Sequence, residues 1–191
     1  MKKIKGFKIN LRSRDILRFL KNTTNISEVT PQLEEAIKRE KTKLEKTLKP
    51  AIVFETFAKD KIDFDLGLDM PPRWASASFC VATLGLEAEE ALKDAENSAE
   101  SLSGKIIHSI YLEALEQSVN FVSRIISDEA KQDNCELSEK MKLSSYSALK
   151  RLFELVTVDK IGVSLLETKE LQPQYTTCAV FFWIPNSKKK R

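Results

Sequence analysis

The sequence is poor in the residues on which most catalytic sites are built. His108 is the only histidine in 191 residues. It stands at the margin of a helical stretch between Ile107 and Ser109, which argues for a structural or solvated imidazole and against a Ser-His-Asp triad or a histidine-rich metal centre. Glycine is scarce too, with five in the whole chain. Neither the phosphate-loop nor the dinucleotide-binding glycine spacing occurs, which excludes both classes. Cys80, Cys135 and Cys178 lie far apart with no C-x-x-C pair, and two of them fall in apolar strand candidates. Buried, reduced thiols are expected, as in a cytoplasmic protein, with no metal site. No apolar run approaches the length of a membrane span, and the basic start, Met1 to Lys8, has no apolar segment behind it. Neither a membrane partner nor a signal peptide is expected.

Charge of one sign is also lacking. The 31 basic and 28 acidic residues leave a net charge of +3, which makes no large basic field and argues against a nucleic-acid partner. Trp74 and Trp183, with the slight positive charge, are all that supports an unrelated ligand- or nucleic-acid-binding domain, and Trp183 ends an apolar strand that reads as core. No acid, base or nucleophile stands out, so no catalytic residue is assigned. Asp63 and Asp65 share a face of a candidate strand, where exposed alternation explains them better than cation binding.

What is present is a soluble pattern with 42% apolar residues, in a chain long enough to bury a core. Arg12 to Leu20 reads as a short helix with Ile16, Leu17 and Leu20 on one side. Thr30 offers an N-cap to a second helix that has Pro31 at its first position and stops before Pro50. Ile52 to Phe57 and the alternating Ile62 to Leu66 suggest a hairpin, with a loop from Gly67 to Ser76 after it. Ala77 to Leu84 is apolar on both faces and reads as a central strand. Ala88, Ala91, Leu92, Ala95, Ala99 and Leu102 recur at helical spacing until Gly104 breaks the run. The longest helix is expected from about Lys105 to Ala130. A short helix around Leu152 to Val156 should feed a strand from Asp159 to Thr168, and a bend at Gln172-Pro173-Gln174 should lead to a last strand, Thr176 to Trp183. These elements predict an α+β fold with a twisted, mostly antiparallel sheet and helices packed on it. Residues 1–187 make the domain and 188–191 a basic tail.

Order and spacing carry a resemblance. Asp15-Ile16-Leu17-Arg18-Phe19-Leu20, Cys80-Val81-Ala82-Thr83-Leu84-Gly85 and Ile161-Gly162-Val163-Ser164-Leu165, with Glu167 two residues on, resemble motifs of the activation (reactivation) domain of cobalamin-dependent methionine synthase. The resemblance implies a C-shaped domain that binds S-adenosylmethionine in a shallow groove. It also implies a corrinoid-binding protein or truncated methionine synthase acting in trans, whose cobalamin is remethylated after reduction by a flavodoxin or ferredoxin. Such a domain contributes proximity and orientation more than side-chain chemistry.

The same resemblance directs attention to Met141-Lys142-Leu143-Ser144-Ser145-Tyr146, where the family carries Arg-x-x-x-Gly-Tyr. Lys142, Ser144, Ser145 and Tyr146, with Glu167 and with Asn120 of the long helix, form the implied cofactor-binding set. Lys142 in place of arginine gives up bidentate recognition of a carboxylate, and Ser145 in place of glycine adds a Cβ at the close approach. Loss of one charge-assisted hydrogen bond costs about 1.5–3 kcal/mol, so weak binding of S-adenosylmethionine is expected. Two readings stay open: an S-adenosylmethionine-binding accessory protein, and a noncatalytic interaction module of the same fold that has lost the ligand. On the second, Tyr146 and the serines are an ordinary loop, with Ser147 capping the next helix.

Overall fold

The computed structural model describes residues 1–24, 26, 28–97 and 101–186. Ala99 and the basic tail Lys188–Arg191 lie outside the described residues. In chain order the elements are β1 (Lys2–Lys5), α1 (Ser13–Thr23), α2 (Pro31–Leu44), β2 (Ala51–Ala58), β3 (Ser76–Thr83), α3 (Leu86–Asn97), α4 (Ser101–Gln132), β4 (Cys135–Leu137), β5 (Met141–Lys142), α5 (Tyr146–Leu155), β6 (Ser164–Leu165), β7 (Leu171–Gln172) and β8 (Thr176–Pro185). The fold is α+β, with a main sheet in the order β1-β2-β3-β8-β4 and β5 also paired to β8. Every strand pair is antiparallel.

The interior strands are the ones whose sequence is apolar on both faces. Along β3 and β8 successive side chains point to opposite sides of the sheet, and both sides are covered. Val53, Phe79, Val81, Cys178, Val180 and Phe182 enter one core with Leu149 and Leu152 of α5. Ile52, Phe54, Cys80, Ala82, Phe181 and Trp183 enter another with Val119, Val122 and Ile126 of α4. Val81 and Val180 are fully buried, all three cysteines are buried, and Trp183 is core. Trp183 Nε1 donates to Ser78 Oγ at 2.8 Å, which satisfies its one polar group inside that core.

At about 1.5 Å per residue, α4 is about 48 Å long, more than the sheet alone can cover. Its second half lies on the sheet, while Ile106, Ile110, Tyr111 and Ala114 of its first half form a third core with α1, α2 and α3. Thr30 caps α2 as its position suggests, accepting from Leu33 N at 3.3 Å, with Pro31 opening the helix.

Three expectations need correction. Ile62 to Leu66 is not a strand and makes no hairpin with β2, whose neighbours are β1 and β3. A 3-10 turn at Lys59–Lys61 sends this segment across the face of the sheet, where Ile62, Phe64 and Leu66 pack on the core. Its alternation thus records a loop lying on a surface. Asp65 Oδ1 accepts from Gly67 N at 2.8 Å and Asp63 pairs with Arg151, so neither belongs to a strand face. Gly104 does not break the helical run but lies inside α4, and Leu102 belongs to α4 and is exposed. Ile161-Gly162-Val163 is likewise no strand: Val158–Ile161 is a 3-10 turn that Gly162 ends with φ of 72°. Only Ser164–Leu165 is extended, and it pairs with β7 in a small separate sheet instead of joining β8.

Candidate functional site

The candidate site lies where β8 begins. On its inner side β8 pairs with β3 from Thr176 to Trp183. On its outer side β5 pairs only at Ala179 and Val180, and Leu143 N extends the cover by donating to Cys178 O at 2.9 Å. No described strand pairs with the outer edge of Thr176 and Thr177. Two adjoining depressions, of about 420 and 590 Å³, meet there and share Lys142, Gln174, Thr176, Thr177 and Cys178. The first is walled by Leu112, Leu115, Glu116 and Val119 of α4 with Phe19 of α1. The second is walled by Ser144 and Leu149 on one side and by Leu166, Lys169 and Leu171 of the β6–β7 hairpin on the other. Together they form a groove of the size and mixed polarity of small-molecule sites.

Local chemistry fixes the floor. Thr176 Oγ1 donates to Thr83 Oγ1 at 2.9 Å, and Tyr175 O accepts from Leu84 N at 3.0 Å. Gln174 N donates to Glu89 of α3. Burial pushes the Cys178 thiol up to about 12, so the sulfur beneath the floor stays neutral and unreactive. Lys142 is exposed, between the two depressions, and has no ion-pair partner among the described residues, whereas nearby Lys140 is paired with Glu116. The groove therefore holds an available cation, an ion pair, two hydroxyls and an apolar wall. That set can hold a zwitterionic ligand with an apolar body. Among the described residues no group of three or more His, Cys, Asp or Glu is placed to hold a metal ion.

The structure gathers only part of the residue set expected from the sequence. Lys142 and Ser144 line the groove. Ser145 is half-buried behind it as the N-cap residue of α5, with its hydroxyl 2.9 Å from that of Ser147, so Ser147 is not the cap. Its φ of −63° is one any residue adopts, and the missing glycine leaves no strain. Gly67 stands against it, where an added Cβ would meet Ser145 Cβ at 3.4 Å, an ordinary contact, and it is the φ of 64° that favours glycine there. Tyr146 opens onto a different depression with Phe153 and Leu165, and Lys169 stands 5.8 Å above its ring. Glu167 is exposed in the turn between β6 and β7, where Lys169 and Glu170, not Glu167, line the groove. Asn120 lines a further depression with Ser123 and Arg124. The acid of α4 in the groove is Glu116, one helical turn before Asn120. Sequence reasoning missed Glu116, His108, Thr176 and Thr177. Glu116 had a readable signal, being a polar residue between Leu115 and Val119 on an otherwise apolar stripe.

This is an α+β domain with a groove at the uncovered end of an interior strand. Among solved structures it resembles the MetH reactivation domain bound to AdoHcy, with a TM-score of 0.61 over 98% of this chain and 80% of that one. Aligned residues are 13% identical, so the likeness is one of fold: this chain has the fold of the MetH reactivation domain. No protein-family model matches the sequence, and no curated protein matches it. No described helix is long and apolar enough to cross a membrane.

Proposed function

We propose that this chain binds S-adenosylmethionine and its product S-adenosylhomocysteine in the groove beside β8 and thereby supports reductive remethylation of a corrinoid held by a partner protein. The observation that carries the reading is the position of Lys142, an unpaired cation at the junction of two depressions, in a fold shared with a domain bound to AdoHcy. The ligand's carboxylate pairs with Lys142, its amino group with Glu116, and its adenosyl body lies on the apolar wall. The partner's corrinoid supplies the methyl-transfer chemistry when bound. This chain's residues hold and orient the donor, which converts an encounter into a positioned reaction. The partner is a corrinoid-binding protein or a truncated methionine synthase.

Titration calorimetry with S-adenosylmethionine tests the reading. Lys142→Ala is expected to weaken binding about ten- to a hundredfold, the worth of one charge-assisted hydrogen bond, and Lys142→Arg to retain or strengthen it. Absence of heat from S-adenosylmethionine or S-adenosylhomocysteine at millimolar concentration overturns it. That outcome favours an interaction module of the same fold without the ligand. A specific observation supports this second reading: Tyr146, 36% exposed, lies outside the groove beside half-buried Phe153 and Leu165, where it suits a protein partner.

A further inference from the structure

We infer that His108, through Tyr175, is a positioning residue that holds the floor of the groove in its ligand-binding form. The inference rests on the groove reading above and extends it to a pair of residues outside the implied ligand set. His108 Nδ1 and the Tyr175 hydroxyl lie 2.7 Å apart and share a hydrogen bond. Tyr175 is buried, with its ring edge-on to Tyr111 at 4.7 Å, so the bond forms in a place where losing it is felt. Tyr175 directly precedes Thr176 and Thr177, whose outer edge no described strand covers. β3 holds their inner edge, and with no described strand on the outer side the contacts made to the preceding residues, Gln174 and Tyr175, bear on where that outer edge lies.

Among the described residues, three elements make those contacts. The end of β3 reaches Tyr175 O through Leu84 N and Thr83 Oγ1, α3 reaches Gln174 N through Glu89, and α4 reaches Tyr175 through His108. Of these, only the imidazole changes charge near neutral pH. It also lines the groove itself, and on its other side a depression with Lys105 and Thr23. Among the described residues, the charged groups lining these depressions are Lys105 and Glu116 of its own helix and Lys140 and Lys142 from the β5 side, with Glu89 of α3 on the neighbouring Gln174, while α1 brings Phe19 and Thr23. Protonation commits Nδ1 to donating toward Tyr175 and adds a cation to a groove that already carries Lys142. The floor and the field then change together, and binding of a cationic sulfonium ligand weakens.

With a single histidine in the chain, one imidazole signal reports its titration without ambiguity. In wild type the backbone amide signals of Gln174, Thr176 and Thr177 should move with that titration. In Tyr175→Phe the imidazole should still titrate while those amides no longer follow. Calorimetry with S-adenosylmethionine, the sulfonium ligand, supplies the second arm. His108→Ala should weaken binding about two- to tenfold, the worth of one neutral hydrogen bond, whereas His108→Asn, whose amide can stand near the Nδ1 position, should restore it without pH dependence. Amides indifferent to the imidazole, or wild-type affinity in His108→Ala, would overturn the inference. If wild type binds neither adenosyl ligand, the groove reading falls, and the amide arm alone upholds or overturns the His108–Tyr175 coupling.

Discussion

Glu113 sits fully buried between α4 and α1. Its Oε1 accepts from Gln117 Nε2 at 2.7 Å and from Arg12 Nε at 3.3 Å, and its Oε2 has no hydrogen-bond partner among the described residues. Burial raises its pKa above the ordinary 4.5, against the lowering pull of Gln117 and Arg12. A carboxyl whose folded pKa is raised binds its proton more tightly in the fold. Its stabilising share is complete below the ordinary pKa and is lost as pH rises through the raised one. Glu113→Gln should therefore leave thermal stability near pH 4 little changed, while at pH 8 it raises stability by about 1 kcal/mol, about 2–4 °C in Tm. Equal destabilisation at both pH values would show that the carboxylate is held charged by Arg12. The thiols give a simpler test, since burial pushes Cys178 up to about 12 and Cys80 upward as well. A thiol reagent at pH 8 should label none of the three cysteines in the native protein and all of them after denaturation; labelling of native Cys80 or Cys178 would contradict their burial. Cys80 and Cys178 were legible in the sequence because each falls within an apolar strand candidate, whereas Cys135 stands between Asn134 and Glu136. His108 was not legible, because which face of α4 meets the groove depends on the crossing of α4 over β8, and Glu116 showed only as a polar residue on an otherwise apolar stripe.

Among the elements, the β6–β7 hairpin forms one wall of the groove on a turn of unfavourable chemistry. Lys169 adopts φ of 71°, a conformation that costs a side-chain-bearing residue about 1–2 kcal/mol. Lys169→Gly should stabilise the protein by up to about 1 kcal/mol in urea unfolding, after allowing for the greater chain entropy of glycine. A loss of stability instead would mean that the cation over the Tyr146 ring outweighs the backbone strain. The long, two-sided patterns were readable from sequence: β3, β8 and α4 all lie where apolar character on both faces, or a broad stripe, puts them. The short elements were not. Ile62 to Leu66 alternates as a strand does, yet a loop laid over a sheet face selects the same alternation. Ile161-Gly162-Val163 looks extended until the backbone shows Gly162 left-handed, and α4 carries Gly104 because the core residues that follow it, from Ile106 onward, anchor the helix.

For the whole molecule, the antiparallel sheet with α4 across it was legible because alternation and helical stripe are global patterns, each averaged over many residues. The groove was legible only at Lys142 and Ser144, since a site is assembled by topology from segments remote in sequence: α4, the end of β5, the hairpin and the entry to β8. Two consequences follow from the shape. The groove is shallow and open, so binding there is expected to be modest and to depend on Lys142. Charges of both signs are interspersed over the chain, so duplex DNA at physiological salt should show no submicromolar, salt-sensitive binding. The most direct measurement is a crystal structure of the protein grown with S-adenosylhomocysteine. The expected result is the ligand along the outer edge of Thr176 and Thr177, with its carboxylate on Lys142 and its amino group on Glu116. Ligand bound elsewhere, or a groove left empty at millimolar concentration, would contradict it.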